Sequence, residues 1–179
     1  MILCPVGPNL FLNGQAAIMH NDGFLPPLNI SGLPRTIEPP TLCDKLIVLS
    51  SLLLALRDQS HLIHLNAQGA DFISVHEWLK DRYEEHAEQF DAVAELVRIH
   101  GKMLPNSITE LRNCLPVFDD EACLCSYRNN IKTLSAMTNG LEKTAIDERA
   151  IDVADAMIDL TRSAGKTAWF LESIMAGHS

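Results

Sequence analysis

The chain has 179 residues, 47% of them hydrophobic and 21% charged, a composition typical of one globular domain with a sizeable core. Its formal net charge of -9 argues against a surface built for nucleic acid, because duplex affinity comes largely from Lys and Arg that neutralise phosphates. An acidic balance favours cations as ligands instead.

The longest apolar run, Leu46 to Leu56, is shorter than the roughly 20 residues that span a bilayer, so we predict a core helix and no membrane partner. No signal-peptide pattern is present at the N-terminus, and we expect a cytoplasmic protein. The five cysteines are odd in number and include no C-x-x-C pair, which predicts reduced thiols rather than a disulfide framework or a zinc ribbon. They are Cys4, Cys43, Cys114, Cys123 and Cys125.

Residues 1–40 hold seven of the nine prolines, and their apolar residues follow neither a helical nor a strand period. This composition predicts an extended N-terminal arm, packed on a neighbouring subunit or partly disordered. The arm has one basic residue, Arg35, and is therefore a poor DNA tether. Residues 41–179 form the predicted folded domain.

From Thr41 onward the apolar residues follow a helical period. The first helix is predicted from an N-cap at Thr41 or Asp44 to about residue 65, and the second over about residues 71–100 with Gly101 ending it. Between them, Gly69 can supply the left-handed residue of a tight turn.

Residues 102–119 are predicted to form a long crossover, in which the spacing Ser107-x-x-Glu110 indicates a short helix. Two further long helices are predicted over residues 119–141 and 145–175, separated by Asn139-Gly140. A long crossover lets the third helix lie parallel to the second, as in ferritin-like bundles. The predicted fold class is therefore all-α, a ferritin-like four-helix bundle with one long crossover between its second and third helices.

His64 and His76 lie on either side of the predicted helix–turn–helix corner and should meet at one end of the hairpin. Asp91 and Glu95 are spaced i,i+4 on the second helix, on roughly the face that His76 occupies. About 22 Å of helix separates His76 from Asp91, so the four side chains cannot form one site within a chain. Two antiparallel copies related by a two-fold axis near Glu84 would bring the histidines of one chain to the acids of the other.

This segment resembles the signature of the Dps-type mini-ferritins, the DNA-binding proteins from starved cells. The family signature resembles H-x-x-H-W-N-x-x-G-x-x-F-x-x-x-H-E followed by D-x-x-A-E-R. The matching residues here, at unchanged spacing, are His61, His64, Asn66, Gly69, Phe72, His76 and Glu77, then Asp91, Ala94 and Glu95. The resemblance extends from about residue 45 to residue 176.

The resemblance implies a hollow homododecamer that oxidises Fe²⁺ with hydrogen peroxide or dioxygen and stores iron as a ferric mineral, protecting the cell from oxidative damage. It implies that the catalytic metal ligands are His64 and His76 from one chain and Asp91 and Glu95 from its two-fold mate. Zn²⁺ is an alternative ion for such a mixed imidazole and carboxylate site. The sequence contains no Glu-x-x-His, which disfavours a di-iron centre within one subunit.

Three residues depart from the family pattern: Leu65 replaces its Trp, Leu96 replaces its Arg, and Lys80 replaces an acidic ligand. A protonated ammonium cannot bind a metal, and its charge favours one metal over two. The alternative function is therefore a structural or metal-sequestering shell whose oxidation site is impaired by Lys80.

Other acidic residues could line an iron channel or the cavity, or could simply be solvated. Two of them lie on nearly the same face of the second helix as His76 and could compensate for Lys80. Four more are predicted to form a stripe on the fourth helix. These candidates are Glu84 and Glu88, then Glu148, Asp152, Asp155 and Asp159.

The charge of the chain leads to a prediction on DNA. We expect no appreciable duplex binding at physiological salt, because the chain is acidic and the arm has a single Arg. A gel-shift assay at roughly 150 mM salt checks this, and tight, salt-sensitive retardation would contradict it.

Overall fold

The computed structural model describes residues 39–176, and the arm predicted over residues 1–40 lies almost entirely outside the described residues. Five helices follow in chain order: α1 (Leu42–Asn66), α2 (Phe72–Ile99), α3 (Ile108–Arg112), α4 (Leu124–Asp147) and α5 (Ile151–Ala176). Within the described range no strand occurs, and the predicted all-α bundle with a short crossover helix is confirmed. The domain boundary near residue 40 stays a prediction.

The most deeply buried helix is α1, which packs against α2, α3 and α4. Its fully buried side chains include Leu46, Leu49, Leu52, Leu53, Leu56 and Ile63. Burial of each such side chain contributes about 1.5–3 kcal/mol, so this helix supplies much of the apolar core. It is long and apolar enough to cross a membrane, but 72% of its most apolar window is buried inside the bundle. The prediction of a core helix is confirmed.

The first turn of α1 is closed by a reciprocal capping box, which decides between the two predicted N-caps in favour of Thr41. The Thr41 hydroxyl accepts the backbone N–H of Asp44 at 3.2 Å, and the Asp44 carboxylate accepts that of Thr41 at 3.0 Å. The same carboxylate also pairs with Lys102, just beyond α2. One aspartate therefore ties the start of α1 to the end of α2.

The crossover runs alongside α1 and makes α4 parallel to α2, as predicted. Arg112 of α3 pairs with Asp58 at 3.2 Å, and the Gln59 amide donates to the carbonyl oxygen of Asp119 at 2.8 Å. The start of α1 lies beside the end of α4, where Lys45 donates to Thr144 at 3.2 Å. Helix α4 is therefore antiparallel to α1 and parallel to α2.

The predicted boundaries of the third helix were wrong at both ends. It begins later than Asp119, because the Cys123 sulfur is the N-cap acceptor of α4, 3.4 Å from the backbone nitrogen of Ser126. It also continues through Asn139-Gly140, where the Asn139 amide donates to the carbonyl of Ser135 at 2.7 Å. That side chain bonds to its own helix and does not initiate a turn.

The break between α4 and α5 lies instead at Arg149, which adopts a left-handed φ of 61°. Its N–H bonds the carbonyl of Ile146 at 3.1 Å, and that of Ala150 bonds the carbonyl of Ala145 at 2.8 Å. This is the Schellman arrangement, which Gly101, with a φ of 83°, provides at the end of α2 as predicted. An arginine in this conformation is strained by about 1–2 kcal/mol.

A buried polar network, missed by the sequence analysis, links α2 to α4. His86 is 3% exposed, and its Nε2 accepts the Tyr127 hydroxyl at 2.7 Å while its Nδ1–H donates to Gln89 at 2.9 Å. Burial lowers the pKa of His86 to about 4. The spacing could have predicted this burial, because His86 lies seven residues from both Leu79 and Val93 on the core face of α2.

The helical path through Gly140 leads to a stability prediction. A Cβ added at Gly140 meets no atom within 4 Å, so Gly140→Ala should raise the free energy of unfolding by about 0.5–1 kcal/mol through its helix propensity. Arg149→Gly should add about 1 kcal/mol by relieving left-handed strain. Urea unfolding at fixed protein concentration measures both. Destabilisation by Gly140→Ala would show that the break does lie there.

The buried His86 predicts how stability depends on pH. Because its pKa in the folded state lies below the ordinary value, the unfolded chain binds the extra proton first. Stability should therefore fall as pH falls from about 6.5 to about 4, by up to about 1.4 kcal/mol per pH unit for this group. The free energy of unfolding of His86→Gln should depend less steeply on pH in this window. That of the exposed control, His61→Gln, should have the same slope against pH as the wild type. Equal slopes for His86→Gln and wild type would contradict the assignment.

Candidate metal centre

The two histidines predicted as ligands meet at the corner between α1 and α2. Gly69 adopts a φ of 101°, the left-handed conformation predicted for this turn. The corner stacks the ring of His64 on that of His76, with ring centroids 3.6 Å apart and an interplanar angle of 21°. The prediction that both lie at one end of the hairpin is confirmed.

The two rings are held by reciprocal hydrogen bonds. His64 Nδ1–H donates to the carbonyl oxygen of His76 at 2.7 Å, and His76 Nδ1–H donates to that of His64 at 3.0 Å. Because a carbonyl oxygen only accepts, each ring carries a proton on Nδ1, and the neutral ring presents its lone pair at Nε2. Metal-binding histidines are typically oriented in this way by their second nitrogen. The donor set suits Fe²⁺ or Zn²⁺.

Aromatic packing adds to this orientation. Tyr83 lies edge-on to His64, with ring centroids 5.4 Å apart, and 4.3 Å from the ring of His61. The ring centroid of Phe72 lies 4.9 Å from that of His76. His64 itself is only 8% exposed, so few rotamers are open to it. The histidine half of the site is therefore rigid within one chain.

The structure does not bring Asp91 and Glu95 to the histidines of the same chain. Both acids are exposed, and α2 is continuous from Phe72 to Ile99. At about 1.5 Å per residue, about 22 Å of helix separates Asp91 from His76, and about 28 Å separates Glu95 from it. Between residues 39 and 176, no three His, Cys, Asp or Glu side chains are grouped so as to hold a metal ion. One chain thus contains two separate halves of the predicted ligand set.

Lys80 lies one turn after His76 and pairs with Glu84. The ammonium is 3.5 Å from the Glu84 carboxylate, and the two side chains are 56% and 52% exposed. Such an exposed i,i+4 pair is worth only a few tenths of a kcal/mol. Glu88 is exposed one turn further along.

A family model for the ferritin-like domain matches residues 44–177. The chain belongs to the ferritin-like family. Its fold is that of the Dps-type members, as three solved structures show. Dps from Listeria monocytogenes is 20% identical with a TM-score of 0.72, over 79% of this chain and 97% of that chain. Dps from Bacillus brevis is 18% identical with a TM-score of 0.70, over 75% and 94%.

The third is a Dps protein from Vibrio cholerae O1, described as a member of a broad superfamily of ferritin-like diiron-carboxylate proteins. It is 16% identical with a TM-score of 0.67, over 75% of this chain and 88% of that chain. At these identities the likeness concerns the fold.

In this ferritin-like chain, the four acids predicted along the fourth helix do not form one helical stripe. They are Glu148, Asp152, Asp155 and Asp159. Glu148 is the C-cap of α4 rather than part of α5, which corrects the prediction. Asp152 accepts from His100 at 3.0 Å, and Asp159 from Arg162 at 2.8 Å. Asp155 is exposed. Their role at a channel or cavity wall stays a prediction.

The aromatic rings and carbonyl groups that contact the histidine pair were not predicted from the sequence. The family signature includes Phe72 but not Tyr83, although Tyr83 lies seven residues, or nearly two turns, after His76. That spacing could have placed it beside the histidines. The carbonyl partners of Nδ1 had no sequence signal, because they depend on the backbone of the corner.

Proposed function

We propose that this ferritin-like protein stores iron in a closed homo-oligomer and oxidises Fe²⁺ with hydrogen peroxide or dioxygen at sites shared by two chains. Each site would use His64 and His76 of one chain with Asp91 and Glu95 of its two-fold mate. The family membership supports iron as the metal. The observation that carries the proposal is the stacked histidine pair, whose Nδ1 atoms are engaged so that both Nε2 atoms remain as ligands.

An exposed apolar surface around the histidines supports their burial by a second copy. Four large side chains of the corner are 41% to 68% exposed in the single chain. They are Leu62, Leu65, Phe72 and Ile73. Adjacent exposed apolar residues are typical of interaction surfaces. A two-fold mate would cover them and deliver its acids to the same place.

The chemistry of the site follows from its donors. Carboxylates and neutral imidazoles bind Fe²⁺ and stabilise the higher charge of Fe³⁺. Oxidation by peroxide takes one electron from each of two Fe²⁺ ions, and with two protons it breaks the O–O bond to give two waters. The apolar corner would restrict access of bulk water to the reacting ions.

The assembly we propose is a hollow dodecamer in the cytoplasm, with ferric mineral inside and no DNA partner. By consuming Fe²⁺ and peroxide together, it would protect the cell from oxidative damage. The acids at the junction of α4 and α5 and on α2 would guide Fe²⁺ inward, since carboxylates attract divalent cations.

One observation favours a second candidate, a structural or metal-sequestering shell with weak or absent oxidation. Lys80 is an ammonium at the position of an acidic ligand in the related pattern, and it pairs with Glu84 of its own helix. A strong gain in Fe²⁺ oxidation on Lys80→Asp would favour this second function.

A mixing experiment tests whether sites are shared. Neither a His64→Gln/His76→Gln chain nor an Asp91→Asn/Glu95→Gln chain should bind or oxidise Fe²⁺ alone. Co-expressed in equal amounts, they should recover about a quarter of the wild-type sites, because half of the two-fold pairs are mixed and each mixed pair restores one of its two sites. Anaerobic Fe²⁺ binding and stopped-flow oxidation measure the recovery.

Sedimentation is the control, since each variant and the mixture should form one large species. Full activity of either variant alone, or no recovery in a mixture that assembles normally, would refute a shared site. A monomer at micromolar concentration would do the same.

A further inference from the structure

The Lys80–Glu84 pair lies on the same stripe of α2 as the proposed ligands. At about 100° per residue, Lys80 is rotated by about 40° from His76 and Glu84 by about 80°, while Asp91 and Glu95 fall at about 60° and 100°. An ammonium on this stripe has two sets of carboxylates within its reach. One is Glu84 of its own chain, 3.5 Å away. The other is the pair of acids that a two-fold mate would bring opposite.

We propose that Glu84 is a positioning residue that holds the Lys80 ammonium away from the shared metal site. This inference rests on the proposed function, because it requires the partner's Asp91 and Glu95 to lie near Lys80. In the resting arrangement Lys80 is paired along its own helix and the carboxylates of the site stay available to metal. Without Glu84, Lys80 turns to those carboxylates and competes with the ion.

The electrostatics support competition rather than permanent blockage. Both side chains are more than half exposed, so the pair is weak and readily exchanged. Lys has a flexible stem of four carbons, and its reach covers a full turn of helix in either direction. The ammonium carries one charge and the metal carries two, so the metal displaces Lys80 when the ammonium has another partner.

The chain offers a matched control for this pair. Lys132 and Glu172 form an ion pair at 3.0 Å between α4 and α5, and their side chains are also 56% and 52% exposed. Glu172→Gln therefore breaks a pair of the same type and exposure away from α2.

A double-mutant cycle on the assembled full-length protein tests the proposal. The variants are Glu84→Gln, Lys80→Gln and the double variant, and the readouts are affinity and stoichiometry for Fe²⁺ without oxygen and for Zn²⁺. Glu84→Gln should weaken metal binding by about twofold when Lys80 is present, the factor that a pair worth a few tenths of a kcal/mol allows, and have little effect in the Lys80→Gln background. Lys80→Gln alone should raise the number of ions per site, and Glu172→Gln should change nothing.

The outcomes separate this inference from the proposed function. An equal effect of Glu84→Gln in both backgrounds would show that Glu84 acts directly on the metal, which overturns the positioning role but keeps the site. Unchanged binding in all variants would also overturn it. Absence of His64-dependent metal binding in both wild type and Lys80→Gln would overturn the shared site itself.

Discussion

The unbroken length of α2 is the constraint on which the proposed site depends. It carries an imidazole near its start and two carboxylates near its end, and at least about 22 Å of helix keeps the imidazole apart from either carboxylate. No side-chain motion can close that distance within one chain. The same rigidity places both halves on one stripe, so that an antiparallel copy would meet both at once. A helix with a kink between residues 76 and 91 would lose this register.

The bundle of a single chain builds the histidine half of the proposed site. Gly69 permits the tight corner, the corner aligns the carbonyl groups, and these groups fix the proton on Nδ1 of His64 and His76. The carboxylate half, Asp91 and Glu95, is exposed by comparison. Binding would therefore need only the acids to be ordered, and assembly would supply that order. The fold of the corner has therefore already ordered the two imidazoles, which lowers the entropic cost of metal binding at the proposed site.

Sequence reasoning found the features that periodicity and glycine encode. The buried face of α1, the extent of α2 and the Gly101 cap all carry strong local signals. The end of α4 carries no such signal, because the left-handed residue after it is Arg149 instead of the usual glycine. The Asn139-Gly140 pair, which is typical of a turn, lies inside the helix. The start of α4 was missed for a similar reason, since cysteine at position 123 is an unusual N-cap.

For the site, spacing identified the candidate ligands but not their protonation, which depends on carbonyl groups that a sequence does not locate. His86 is a second case in which the sequence did not predict the surroundings of an imidazole. Its sequence environment is that of a core position, yet the side chain is polar and is retained through bonds to Tyr127 and Gln89. Burial holds the pKa of this imidazole far below its ordinary value, so at neutral pH it is an uncharged hydrogen-bonding link between α2 and α4. Among the described residues, the core places protein partners on both ring nitrogens of His86, whereas the corner engages His64 and His76 through Nδ1. That difference supports the corner, and not the core, as the place of the proposed metal site.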